Sequence, residues 1–270
     1  LLKQVVLQYQ LSYKNSKIYY CKYGNGSEIV VCLHGYGENA ESFTILEPYI
    51  KNTHTLIAID FPFHGQTNWT DGLLFTIEDL VSIIETILES TDPFALVGYS
   101  MGGRIALALY QFYPKKIKKM VLIASDGFHH NVWHWLSTQT KLGNVLFKQT
   151  MFHPQWMLFF LKSIYKLNLL NKSIYNFVKF YLTEEASRVL LYKRWTSMRK
   201  FYTNHHLIQE HILQYQTPMQ LVFGKFDKII LTKRGIIFQQ KVSAFVSVTE
   251  IEAGHQLLKE KYAAQIASFL

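Results

Sequence analysis

Phe94-Ala95-Leu96-Val97-Gly98-Tyr99-Ser100-Met101-Gly102-Gly103-Arg104 holds the clearest structural signal in the chain. The apolar run ahead of Gly98 has the length and composition of a buried strand, and from Gly103 onward the apolar residues follow a helical pattern. Between the two lies Gly98-x-Ser100-x-Gly102. A serine on a sharp strand-to-helix turn needs small neighbours, because the turn brings the residues two before and two after it into close approach. Such a turn lifts the hydroxyl above a sheet and aims a helix N-terminus at whatever the hydroxyl attacks. Glycine and serine also make ordinary turns, so it is the strand-to-helix context that marks Ser100 as a candidate nucleophile.

Three further stretches repeat the pattern of an apolar strand followed by polar or small residues. Glu28 to Leu33 ends in His34-Gly35-Tyr36-Gly37, whose glycines let the N–H of Tyr36 face a site. Together with the N–H of Met101, it offers two donors for an oxyanion. Met219 to Phe223 leads into Gly224-Lys225-Phe226-Asp227, and Val246 to Ile251 leads into Glu252-Ala253-Gly254-His255. The order is Ser100, Asp227, His255, with 28 residues from acid to histidine, room for one helix and one strand. Histidine titrates near neutral pH and suits the removal of a serine proton, while a carboxylate fixes its tautomer.

The remaining elements predict an α/β fold with a mainly parallel eight-stranded sheet flanked by helices, because strands and amphipathic helices alternate along the chain. The predicted strands are Gln4 to Leu11, Lys17 to Tyr23, Glu28 to Leu33, Thr55 to Asp60, Phe94 to Tyr99, Lys118 to Ala124, Met219 to Gly224 and Ala244 to Ile251. The first two pair as an antiparallel hairpin through Lys14-Asn15-Ser16. Helices are expected over Thr76 to Glu89, Met101 to Phe112 and Leu258 to Phe269. Gly127 to Thr217 carries no strand pattern and is dense in aromatic residues, among them Trp133, Trp135, Phe147, Trp156 and Phe159. The domain reading is therefore an α/β core of residues 1–126 and 218–270 with a helical cap of 127–217. The cap is expected to roof Ser100 and make the substrate pocket apolar. Phe128, Trp133 and Arg104 are the candidate substrate contacts.

These motifs, with Asp60-Phe61-Pro62-Phe63-His64-Gly65-Gln66-Thr67, resemble the α/β-hydrolase superfamily over nearly the whole chain. The family usually has Asp-x-x-Gly-x-Gly-x-Ser in the last stretch. Here Phe63 stands at the first glycine, with His64 beside it, and Thr67 stands for the serine. The resemblance implies Ser100 as nucleophile, His255 as base, Asp227 as its orienter, and Tyr36 and Met101 as oxyanion donors. Some members draw their acid from the strand before the cap, which keeps Asp126 as the alternative to Asp227. Ser100-Met101-Gly102-Gly103-Arg104 also resembles a menaquinone-pathway lyase of the superfamily, in which an arginine at this position helps bind substrate carboxylates. Arg188, Arg194 and Arg199 do not match that enzyme's cap arginines, and a structural ion pair is the favoured reading of Arg104.

The expected function is that of a carboxylesterase-like serine hydrolase, acting on a small-molecule ester or related acyl compound with an apolar or aromatic moiety. A carbon–carbon bond hydrolase or lyase, and a non-enzymatic ligand receptor, are the rivals. The chain has 270 residues, 49% of them apolar, and a formal charge of +9, of which the 127–217 segment supplies +8. Its lysines are spread along helices, the pattern of solvated faces rather than a nucleic-acid motif, so no nucleic-acid binding is expected. Attraction to anionic substrates or a membrane surface is the other reading of that charge. No apolar run is long enough for stable membrane insertion. Cys21 and Cys32 read as reduced thiols, and with no visible signal peptide the expected location is cytoplasmic. No cofactor is called for. His129, His130 and His134 lack the companions of a metal site, so no metal is expected either.

Overall fold

The computed structural model describes residues 7–129, 132–167, 169–170 and 172–270. Eight strands form one sheet: β1 (Leu7–Tyr13), β2 (Ser16–Tyr23), β3 (Glu28–Leu33), β4 (His54–Ile59), β5 (Phe94–Tyr99), β6 (Ile117–Ile123), β7 (Met219–Gly224) and β8 (Val246–Ile251). Their order is β1-β2-β4-β3-β5-β6-β7-β8. β2 pairs antiparallel with both β1 and β4, and every other pairing is parallel. The expected hairpin is present, with Tyr13 opposite Ser16 and Lys14 at φ 51° in the turn. Of the strand predicted from Gln4, residues 4–6 lie outside the described residues.

β5 is buried along its whole length, as a strand with neighbours on both edges and side chains packed on both faces must be. On one face Val30, Cys32, Val97 and Val121 join Phe43, Leu46 and Ile266 in a single cluster. The helices around the sheet are α1 (Glu47–Ile50), α2 (Ile77–Leu88), α3 (Met101–Phe112), α9 (His205–Tyr215), α10 (Thr232–Gln239) and α11 (Glu260–Ala267). The ends predicted for α2 are its caps. Thr76 and Asp79 form a reciprocal capping box, and Glu89 closes the helix in the left-handed conformation. In α3 only Arg104 and Phe112 escape burial, which explains a sequence almost devoid of polar residues.

The chain divides into two compact units. Of the described residues, the α/β unit contains 7–71, 75–129 and 201–270. The second unit, residues 72–74 and 130–200, holds α4 (Val132–Gln139), α5 (Lys141–Phe152), α6 (Gln155–Lys166), α7 (Lys172–Thr183) and α8 (Glu185–Ser197). This compact unit begins and ends inside the expected 127–217 segment and takes in residues 72–74 as well. Its flanks are held by the α/β unit: Gly127 O accepts bonds from Thr203 Oγ1 and His205 Nε2, each at 2.8 Å, and Asn204 N–H donates to Gln111 at 2.6 Å. The helical unit has its own small core of Met151, Leu161, Leu182 and Tyr192. Buried Arg188 donates to Met151 O and Leu182 O, at the C-terminal ends of α5 and α7, where carbonyls lack helical partners. Arg199 bonds Leu73 O and Thr196 O. Both arginines therefore serve the backbone of their own unit.

Candidate active site

The parallel strands end at one edge of the sheet, with Leu33 in register with Gly98, Tyr99 with Ile123, and Gly224 with Ile251. β4 and β5 lie on opposite sides of β3, so the chain leaves β3 and β5 where the winding direction reverses. Open α/β sheets form their crevices at such points. Ser100 stands there at φ 50° and ψ −113°, outside the regions comfortable for an L-residue. Its N–H is fixed to Ile123 O at 2.8 Å. The flanking glycines are obligatory: a Cβ on Gly102 would lie 1.8 Å from Leu33 O, and one on Gly98 would lie 2.7 Å from Gly102 O. The elbow exists because α3 begins almost in contact with the end of β3.

Ser100 Oγ lies 3.0 Å from His255 Nε2, and His255 Nδ1 lies 2.8 Å from Asp227 Oδ2. The carboxylate can only accept, so Nδ1 carries the proton and the Nε2 lone pair faces the serine hydroxyl. Asp227 is fixed in turn by two backbone donors on its other oxygen, Ile229 N–H at 2.7 Å and Ile230 N–H at 3.0 Å. Its side chain is wholly out of solvent, whereas that of His255 remains 18% exposed. The two loops that deliver the pair are tied together by Lys225 N–H to Ile251 O and Phe226 N–H to Ala253 O.

The loop after β3 is held by His34, which is fully buried. Its Nε2 accepts from Phe61 N–H at 3.1 Å, so its Nδ1 donates to Gly35 O at 2.8 Å. A neutral imidazole thereby fixes the turn that carries Tyr36. Met101 opens α3, so its N–H belongs to the first turn, whose amides have no intrahelical acceptor. Asp60 is the loop-capping carboxylate expected of it, accepting from Ala40 N–H at 2.6 Å and Gln66 N–H at 2.7 Å. Burial pushes its pKa up while those two amides pull it down. Phe63, at the family's glycine position, has φ 63° and keeps the left-handed conformation that glycine would adopt there.

Arg104 and Asp126 form an ion pair, Nε to Oδ1 at 3.7 Å. Asp126 is thus engaged away from His255 Nδ1, which Asp227 occupies. Burial holds the Asp126 carboxyl above the usual carboxylate range, against the pull of the nearby Arg104 and His255 charges. Phe128 is buried among Phe223, Phe238 and His205. It lines a cavity of about 290 Å³ with Gln209, Arg234 and Lys241, a pocket to which none of Ser100, Asp227 and His255 contributes. Trp133 lies on α4 in the helical unit, 78% exposed. Among the described residues no three His, Cys, Asp or Glu side chains are grouped to hold a metal ion, and His130 lies outside them.

Two nearby residues were not evident from the motifs. Tyr99 donates its hydroxyl to His255 O at 3.2 Å and so steadies the histidine loop. It sits inside the serine pentapeptide, at a position the motif leaves open. Glu38, just past Gly37, has its carboxyl pushed up by burial against the pull of Ser42 and of His255.

The eight-stranded, mostly parallel sheet and the strained serine turn define the α/β hydrolase architecture. The family model for the alpha/beta hydrolase fold matches residues 28–261, and the chain belongs to that family. Similar proteins include the hydrolase YugF of Bacillus subtilis (strain 168), 31% identical over 48% of this chain and 55% of its own length. A serine hydrolase-like protein of Danio rerio is 33% identical over 37% of this chain and 31% of its own length. The matches thus span about half or less of these relatives. The fold is also that of MGS-M2, an alpha/beta hydrolase enzyme from a deep-sea metagenome library, at TM-score 0.67 and 19% identity, covering 97% of this chain and 96% of that one.

Proposed function

We propose that the protein is a serine hydrolase that cleaves a small-molecule ester or related acyl compound through an acyl-enzyme on Ser100. The observation that carries this reading is the hydrogen-bonded chain from Ser100 through His255 to the buried Asp227. Ser100 Oγ attacks the acyl carbonyl carbon while His255 Nε2 takes the hydroxyl proton, and Asp227 stabilises the imidazolium. The carbonyl oxygen becomes an oxyanion, for which the N–H groups of Tyr36 and Met101 are the assigned donors. Collapse breaks the bond to the leaving group, which receives the proton from Nε2. Water, deprotonated by the same nitrogen, then attacks the acyl-serine, releases the acid and returns the proton to Oγ.

The pairing of Arg104 with Asp126 favours a neutral acyl group over a carboxylate-bearing substrate of the lyase type. The aligned nucleophile and base favour an enzyme over a ligand receptor. A fluorophosphonate probe should label Ser100 stoichiometrically. Ser100→Ala should lose the label and lower turnover of p-nitrophenyl esters on the order of 10⁴-fold or more. Unchanged turnover in that variant rejects the mechanism. Across a series of acyl chains, kcat/KM should rise by about 1.6 kcal/mol, roughly fifteenfold, for each added pair of buried methylenes until the pocket is full. A flat series rejects the apolar substrate.

A further inference from the structure

α5 and α6 are apolar on two faces. Inward, Phe147 and Met151 of α5 and Leu158 and Leu161 of α6 build the core of the helical unit. Outward, α5 exposes Leu142, Val145 and Leu146, and α6 exposes Trp156, Phe159 and Phe160, each set at the i, i+3, i+4 spacing of a single helix face. Leu142 is 86% exposed and Phe159 is 74% exposed. A surface helix of a soluble domain ordinarily shows polar residues on this side. Contiguous exposed apolar stripes mark a surface that meets another apolar phase.

The charge identifies that phase. Lys141 and Lys148 lie three or four residues from Val145, and Lys162 and Lys166 lie three and seven residues from Phe159, so each stripe is edged by two lysines. The helical unit carries eleven Lys and Arg against Glu184 and Glu185 alone, which is the whole formal +9 of the chain and leaves the α/β unit neutral. Two copies meeting through this unit would set like charges against each other. A nucleic acid would use the lysines and leave the leucine and phenylalanine stripes without a partner. Among the described residues no helix is long and apolar enough to cross a membrane. We infer that the outer faces of α5 and α6 dock on the surface of an anionic lipid bilayer. The apolar side chains enter the headgroup boundary, and the lysines reach the lipid phosphates.

Cosedimentation of the full chain with vesicles tests this independently of the hydrolase reading. The protein should bind phosphatidylcholine vesicles containing phosphatidylglycerol, bind pure phosphatidylcholine far more weakly, and come off as salt is raised. Reversing Lys141, Lys148, Lys162 and Lys166 to Glu should lower the partition coefficient at least 100-fold, since each lysine near an anionic surface is worth roughly fivefold. Leu142→Ser with Phe159→Ser should also release the protein. Both variants should keep the wild-type circular dichroism spectrum. A variant that fails this check is replaced by single substitutions, Lys148→Gln and Phe159→Ser, each of which should weaken binding severalfold. No binding to anionic vesicles at low salt overturns the inference, as does binding that the folded variants retain. A wild-type dimer that becomes a monomer in the Leu142→Ser, Phe159→Ser variant also overturns it, by assigning the face to a second copy.

Discussion

The loops after β6 and β7 each set an aspartate just beyond a parallel strand, and the two carboxylates meet opposite surroundings. Asp227 receives two backbone N–H groups on one oxygen and the imidazole on the other, so a buried charge has hydrogen bonds on every side that matters. Asp126 has one oxygen out of solvent facing Arg104 Nε at 3.7 Å, and neither atom makes a hydrogen bond. Burying a charge is tolerable when donors converge on it and costly when only a distant cation does. The difference teaches that position at a strand end does not make an acid useful. The turn that follows does, by aiming amides at the carboxylate and leaving one oxygen for the histidine.

Between the two aspartates, the largest effect is expected at Asp227. Asp227→Asn should lower turnover by roughly 10⁴-fold through loss of the correct histidine tautomer, while Asp126→Asn should leave it within severalfold. Steady-state rates on one ester, with circular dichroism showing both variants folded, decide this. The reverse ranking would move the working acid to the end of β6.

A smaller effect should appear in stability. Since burial raises the pKa of Asp126 in the folded state, its ionised form works against folding above the ordinary carboxyl pKa of about 4, and Arg104 offsets that cost. Arg104→Met should therefore destabilise the protein by about 1–2 kcal/mol near neutral pH. The loss should shrink as the pH falls through the raised folded-state pKa of Asp126 and be gone below about 4, where Asp126 is protonated in both states. Denaturant unfolding across pH measures it. A loss independent of pH would show that Arg104 acts through packing.

The smallest effect belongs to the double variant. Arg104→Met with Asp126→Asn removes both charges and should return to within about 0.5 kcal/mol of the parent at neutral pH. A double variant as unstable as Arg104→Met alone would break the electrostatic account of this pair.

Much of the site was legible because its signals are local. Gly98 and Gly102 announce a turn too tight for a Cβ, and the strand predicted over Phe94 to Tyr99 is β5 to the residue. The order of Ser100, Asp227 and His255 could likewise be read, since each sits one turn beyond an apolar run. The choice between Asp227 and Asp126 could not be read from spacing alone, because it depends on which loop approaches His255. The amides of Ile229 and Ile230 left no trace in the sequence, since any residue but proline supplies an N–H. The bounds of the compact helical unit differ from the expected 127–217 for a similar reason. α9 has a helical pattern like its neighbours, and what attaches it to the α/β unit is tertiary: the bond from His205 to Gly127 and the burial of Ile208 and Ile212.

The alternation of apolar runs with amphipathic helices, and the small residues flanking Ser100, were determined by the sequence itself. Periodicity and steric size act over a few residues and need no knowledge of distant neighbours. Tertiary structure alone decided that Phe128 is buried in an aromatic cluster, and that α5 and α6 expose leucine and phenylalanine. Each of these depends on what a side chain meets across the fold, and a residue type carries no record of the partner that folding brings to it.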